Sequence, residues 1–168
     1  MASFKIEKDE AMKLMIEVPK IASQDISKKL TEAHFLFELY NKFTMEETVK
    51  IFRAFPYLVC VDHRKLTLFN GEFKKYKMTK EQILNVCCNS GGLLGTSVSN
   101  FRGVFETLRS YGITAKETKH ILDILPEFAL QNRKDLLRRK IDLIEKESGR
   151  DRLYIRNFVK RHPDILLR

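Results

Sequence analysis

Proline, glycine and cysteine are all scarce in this chain of 168 residues, at four, seven and three copies. So little glycine and proline excludes a flexible linker, and no low-complexity segment interrupts the sequence. No apolar run is long enough to span a bilayer, so no membrane partner is expected. Cys60, Cys87 and Cys88 are an odd number with no CxxC spacing. That argues against a disulfide framework or a zinc site and points to a reducing compartment. His34, His63, His120 and His162 are scattered, and surface or capping roles suit them better than a metal site. There is no GxSxG, Walker loop or HExxH, and no serine or cysteine has an evident partner base. GGLLG at Gly91 to Gly95 lacks the spacing of a phosphate cradle. The chain reads as non-catalytic, with no catalytic residues, no metal and no cofactor.

The little proline there is falls on a grid. Pro19, Pro56, Pro126 and Pro163 are joined by Gly91 in steps of 37, 35, 35 and 37 residues. Five before each anchor stand Leu14, Ile51, Val86, Ile121 and Phe158; four before, Met15, Phe52, Cys87, Leu122 and Val159. Two after come Ile21, Leu58, Leu93, Phe128 and Ile165. Such a period marks a stacked-repeat protein, whose units complete their cores against one another. Cys87 lies on this apolar register and is expected to be a buried thiol.

The polar residues repeat as well. Thr44, Thr79 and Thr114 stand twelve before an anchor, with Asp151 in the last unit. Glu47, Gln82 and Glu117 follow each threonine by three, which is a capping box. A helix of about three turns should open there and stop near the proline, whose ring opposes continuation. Asp25, Asp62, Ser97 and Asn132, six after each anchor, should cap a second helix. Its apolar stripe reads Leu66, Phe69, Phe73 and then Phe101, Val104, Leu108. Gly112 and Gly149 suit left-handed C-caps before the next unit. The predicted class is all-α, a superhelical solenoid filling 1–168 as one domain. Its units run about 7–43, 44–78, 79–113 and 114–150, with a half unit at 151–168. The missing partner of that last helix predicts a fragment of a longer array. With glycine at position 91, that unit's first helix should end differently.

The net charge of +9 is uneven. Residues 1–60 and 101–130 are balanced, while 61–100 carry a surplus of three cations and 131–168 a surplus of six. A basic solenoid suggests a polyanion, because neutralised phosphates release counterions. Arginine dominates the carboxyl end, and its planar fork suits phosphate.

FPYLVCVDHRKL, LRSYGIT, LPEFALQNRKDLLRRKIDLI and RNFVKRHPDILL resemble repeats of the mitochondrial transcription termination factor (MTERF) family. The resemblance covers about residues 7–168. It implies repeats of two α-helices and a short 3₁₀ turn in a left-handed superhelix. It also implies binding of double-stranded DNA or structured RNA in organelles, and a mitochondrial matrix location. The opening MASFKIEKDEAMK does not read as a transit peptide, so that location is implied by resemblance alone. The family's basic track carries over to Arg64, Lys65, Arg102, Arg109, Arg133, Lys134 and Arg138, with Lys74 and Lys75 within one register position of Arg109. Some members stack flipped bases on aromatic or arginine side chains. Tyr57, Tyr76, Tyr111 and Tyr154 could serve, but aromatics at helical spacing are more often core.

The leading expectation is a double-stranded DNA binder regulating mitochondrial transcription. A pentatricopeptide-like reader of single-stranded RNA has a similar period, but its code needs polar residues at fixed sites, where this grid is apolar or capping. An RNA- or rRNA-binding protein, or a protein-interaction scaffold in organellar ribosome biogenesis or translation, is the other alternative. Residues 1–60 would suit the scaffold, with Phe35, Phe37 and Tyr40 as contacts, although simple helix packing is the better explanation of those rings.

Overall fold

The computed structural model describes residues 7–90, 92–130 and 136–167. Described residues form helices α1 (Lys8–Glu17), α2 (Ile26–Asn41), α3 (Met45–Ala54), α4 (His63–Lys75) and α5 (Lys80–Asn89). They continue as α6 (Val98–Ser110), α7 (Ala115–Ile124), α8 (Leu136–Ser148) and α9 (Arg152–Arg161). Each odd-numbered helix leads into a 3₁₀ turn: Pro19–Ser23, Pro56–Cys60, Leu93–Gly95, Pro126–Leu130 and Pro163–Leu166. No strand occurs among the described residues. The architecture is the expected all-α repeat.

Local chemistry sets these boundaries. In all three predicted capping boxes the threonine hydroxyl accepts the N3 amide and the Glu or Gln side chain accepts the threonine amide. Asp151 caps α9 alone, accepting from the Tyr154 amide at 2.8 Å. Asp25, Asp62 and Ser97 cap the second helices α2, α4 and α6. Asn132 lies outside the described residues. The turn between units is left-handed every time: Lys42 (φ 59°), Lys77 (φ 51°), Gly112 (φ 81°) and Gly149 (φ 60°). Two lysines therefore hold a conformation that glycine adopts at lower cost.

The Gly91 unit does differ. Its 3₁₀ turn has three residues where those at Pro19, Pro56 and Pro126 have five. Gly91 itself lies outside the described residues. The flanking glycines have a packing reason: a Cβ on Gly92 or Gly95 would meet the Phe55 ring at 3.1 or 2.9 Å. The Phe55 ring rests directly on backbone that carries no side chains.

The helices form two layers. The second helices α2, α4, α6 and α8 stack in order, and α3, α5 and α7 stack beside them. The apolar grid fills the space between. Twelve of its fifteen positions are buried, Ile51, Phe52, Val86, Leu93, Leu122, Phe128 and Val159 being fully enclosed. The exceptions are Met15 in the first unit and Phe158 and Ile165 in the last. A stacked array gives this result, since only interior units have a neighbour on each side.

Polar bonds join the units in two registers. Second helices are linked across about 30 residues: His63 to Glu32 (3.0 Å), Asn41 to Asn70 (2.5 Å), and Tyr111 donating to Asp142. Burial, then that hydrogen bond, pushes the Tyr111 phenol up to about 12. First helices are linked at longer spacing through the capping-box residue. Glu47 takes Lys80 at 2.8 Å, Gln82 donates to Asp123 at 2.8 Å, and Glu117 takes Lys160 at 2.6 Å and Arg156 at 3.2 Å. One side chain thus closes its own helix and holds the next unit.

Candidate nucleic-acid interface

The seven predicted track residues within the described chain all belong to the second-helix layer. Arg64, Lys65, Lys74 and Lys75 lie on α4, Arg102 and Arg109 on α6, and Arg138 on α8. Arg133 and Lys134 lie outside the described residues. Aligning the buried residues Phe73 and Leu108 puts Lys74 and Arg109 in one slot of successive helices, 35 residues apart. Aligning Phe101 with Leu137 does the same for Arg102 and Arg138, 36 apart. The cations are therefore in structural register and recur along the stack.

Three of the seven are engaged by the protein itself. Lys65 donates to the Gly95 carbonyl at 2.7 Å, tying α4 to the next 3₁₀ turn; burial draws its pKa down. Arg102 places Nε and Nη2 at 2.9 and 2.5 Å from one oxygen of Glu72, which is buried on α4. That hydrogen bond raises the Arg102 pKa, so it stays cationic. Lys75 lies 3.7 Å from the other Glu72 oxygen and 5.1 Å from the Tyr76 ring centre. Arg64, Lys74, Arg109 and Arg138 are exposed, and no side-chain ion pair joins them to another described residue. These four hold undivided charge toward solvent, whereas Lys65, Lys75 and Arg102 first hold the scaffold.

The register does not carry a cation in every unit. The slot of Lys74 and Arg109 is filled by Glu38 on α2 and Glu145 on α8. In this slot the cations therefore stand on α4 and α6, while Arg138 and the exposed Arg139 lie near the start of α8. An open groove of about 500 Å³ runs between Lys75, Tyr76, Phe105, Arg109 and Ile113. Its wall is rigid, because Tyr76 stacks on Phe105 with centroids 3.7 Å apart and planes 7° from parallel. The groove carries two cations, Lys75 and Arg109, against one acid, Glu106, so a phosphate backbone would meet net positive charge beside a stacked wall.

The tyrosines divide. Tyr111 is buried and Tyr76 is half-buried in an aromatic cluster, whereas Tyr57 (39%) and Tyr154 (46%) are exposed. Among the amino-terminal rings, Phe37 is in the core, which removes it as a contact; Phe35 and Tyr40 face solvent. Cys87 is buried with its thiol pKa pushed well up by burial, and Cys60 and Cys88 are free. Among the described residues no group of His, Cys, Asp and Glu could hold a metal ion, and no helix is long and apolar enough to cross a membrane. Pairwise engagement was not visible in the sequence, since each partner lies a whole unit away. The spacing of about 30 between Glu72 and Arg102 is the signal that could have found it.

No curated protein and no solved structure matches this chain significantly. A family model does: the mTERF model matches residues 1–154, most of the chain, in agreement with the fold. The chain belongs to the mTERF family, whose members are generally non-catalytic, nucleic-acid-binding regulators of organellar gene expression.

Proposed function

We propose that this protein binds double-stranded DNA through its second-helix layer and regulates mitochondrial transcription without catalysing a reaction. The observation that carries the reading is the recurrence of cations in one register, Lys74 with Arg109, flanked by Arg64 and Arg138, none of which forms an ion pair with a described residue. A duplex offers a phosphate per strand about every 3.4 Å, so charges repeated along a rigid stack meet a repeated partner. Family membership supports the organellar setting. Structured RNA offers the same phosphate chemistry and is the competing ligand.

The test is binding of one labelled sequence as duplex, as single strand and as folded RNA over a salt series. Duplex affinity should fall with a log–log slope of about −0.9 per phosphate neutralised. Lys74→Gln with Arg109→Gln should weaken duplex binding at least tenfold and make that slope shallower by about 2. Lys13→Gln on the exposed side of α1 should change neither. A flat salt response from a folded chain would remove the proposal, and a preference for folded RNA would transfer it to that ligand.

A further inference from the structure

A tyrosine and an acid are paired at one junction of the second helices and parted at the junction before it. Tyr111, the C-cap of α6, donates to Asp142 on α8. One unit earlier the same two slots hold Tyr76, the C-cap of α4, and Glu106 on α6. No bond joins them. The Tyr76 oxygen is buried without a hydrogen bond, and burial is the chief cause raising its phenol pKa, with Lys75 pulling the other way. The reason lies in the residue before each acid. Phe105 takes the Tyr76 ring in a parallel stack, centroids 3.7 Å apart. Ile141, in that slot on α8, offers no ring and leaves Tyr111 free to reach Asp142.

Glu106 is left open to solvent as the one acid lining the groove that Lys75 and Arg109 also line. Arg102 stands four residues before it and Arg109 three after, both within reach along a helix. Glu106 nevertheless joins no ion pair with a described residue, and Arg102 is held by Glu72 instead. On α4 the slot of Glu106 is occupied by Gly71, and nothing lies within 4 Å of a Cβ built there. A glycine inside a helix costs stability, and no packing contact requires this one. Glu106 is thus denied its tyrosine and its arginine, and α4 sets no side chain in that slot.

We propose that Glu106 reads a cytosine, accepting its exocyclic amine at the major-groove edge of a bound duplex while Lys75 and Arg109 hold neighbouring phosphates. This role rests on the duplex binding proposed above. The donor that Glu106 lacks has to come from a ligand that the two cations also attract, which a basic peptide is not. A nucleic acid satisfies both demands, since its backbone is anionic and its bases carry uncharged donors. The carboxylate then sets the base, because it can only accept. On the major-groove edge guanine and thymine present acceptors, and adenine presents a donor beside an acceptor. Cytosine alone presents a donor with no acceptor next to it.

The experiment selects binders from a DNA duplex library with a randomised centre, using the full chain and its Glu106→Gln variant, and measures library binding over a salt series. The parent should enrich cytosine at one position. Exchanging that C·G pair for A·T should weaken its binding about tenfold. Glu106→Gln should move the preference at that position to adenine, because an amide pairs with both the amine and N7 of that base. The substitution is isosteric and exposed, so the two chains should show the same helicity by circular dichroism. A parent selection without a fixed cytosine overturns the proposal, and so does the same base chosen by Glu106→Gln. In either case salt-steep binding of the library leaves the duplex reading standing. A folded parent chain that binds the library weakly and with a flat salt response removes both.

Discussion

The α4–α6 junction and the α7–α9 junction join neighbouring units by different physics. Between α4 and α6, Phe101 packs on Phe73 (5.4 Å, 83°) and Phe69 (6.2 Å, 58°) and on Tyr76 at the end of α4 (6.3 Å, 70°), with the buried Glu72 paired to Arg102 beside them. Between α7 and α9 there is no such cluster among the described residues; Glu117 gathers Lys160 and Arg156 over smaller aliphatic side chains such as Ile121, Ile155 and Val159. Apolar burial does not titrate, whereas a carboxylate between two cations does. One repeat geometry can thus be held by a contact indifferent to pH or by one that depends on it, and the two ends of the array need not be equally stable.

The largest effect should come from the aromatic junction. Phe101 is fully buried, and Phe101→Ala removes a ring that Phe69, Phe73, Tyr76 and Phe105 all contact, at a cost of about 3–5 kcal/mol. Chemical denaturation should show that loss at pH 7 and at pH 4 alike. A loss that changed strongly between those pH values would break the distinction between the junctions.

A smaller, pH-dependent effect belongs to Glu117. The Lys160 bond first, then the Thr114 amide and the Arg156 guanidinium, hold its carboxyl down to about 2 against an ordinary value of 4.5. A depressed folded pKa contributes stability that is fully present above 4.5 and is lost as pH falls toward 2. The carboxyl is 22% exposed, so solvent screening reduces the contribution to about 1 kcal/mol. Glu117→Gln should cost that amount at pH 7 and almost nothing near pH 2, read from denaturant midpoints across the range. An equal cost at both ends would mean the side chain acts as a cap alone.

What was legible in the sequence was what is local. Thr44 and Glu47, or Thr114 and Glu117, are three residues apart, and their boxes form without help from the rest of the chain. The apolar grid was equally plain, because each period of about 35 residues repeats one burial problem. Partner choice was not legible: Arg102 and Lys65 looked like their free neighbours Arg109 and Arg64, yet Glu72 and the Gly95 carbonyl occupy them from 30 residues away. Phe35 and Phe37 are two residues apart and looked alike, but the helical turn puts one in solvent and one in the core.

The smallest effect lies in the turns, where the two regions differ again. The turn after α4 is left-handed at Lys77, while the turns entering α7 and α9 use Gly112 and Gly149. A side chain in that conformation costs roughly 1–2 kcal/mol, and glycine forfeits about 0.5–1 kcal/mol to the greater freedom of the unfolded chain. The balance favours glycine slightly, so Lys77→Gly should stabilise the fold by about 0.5 kcal/mol and Gly149→Lys should lower it by about as much. Nothing lies within 4 Å of a Cβ built on Gly149, so that substitution tests backbone strain without a steric clash. The Lys77 carbonyl that accepts Lys119 at 2.8 Å survives the first change, so the bond between units is kept. If Lys77→Gly instead destabilised the protein, the lysine side chain would be holding the turn, and the aromatic junction would owe part of its strength to a cation after all.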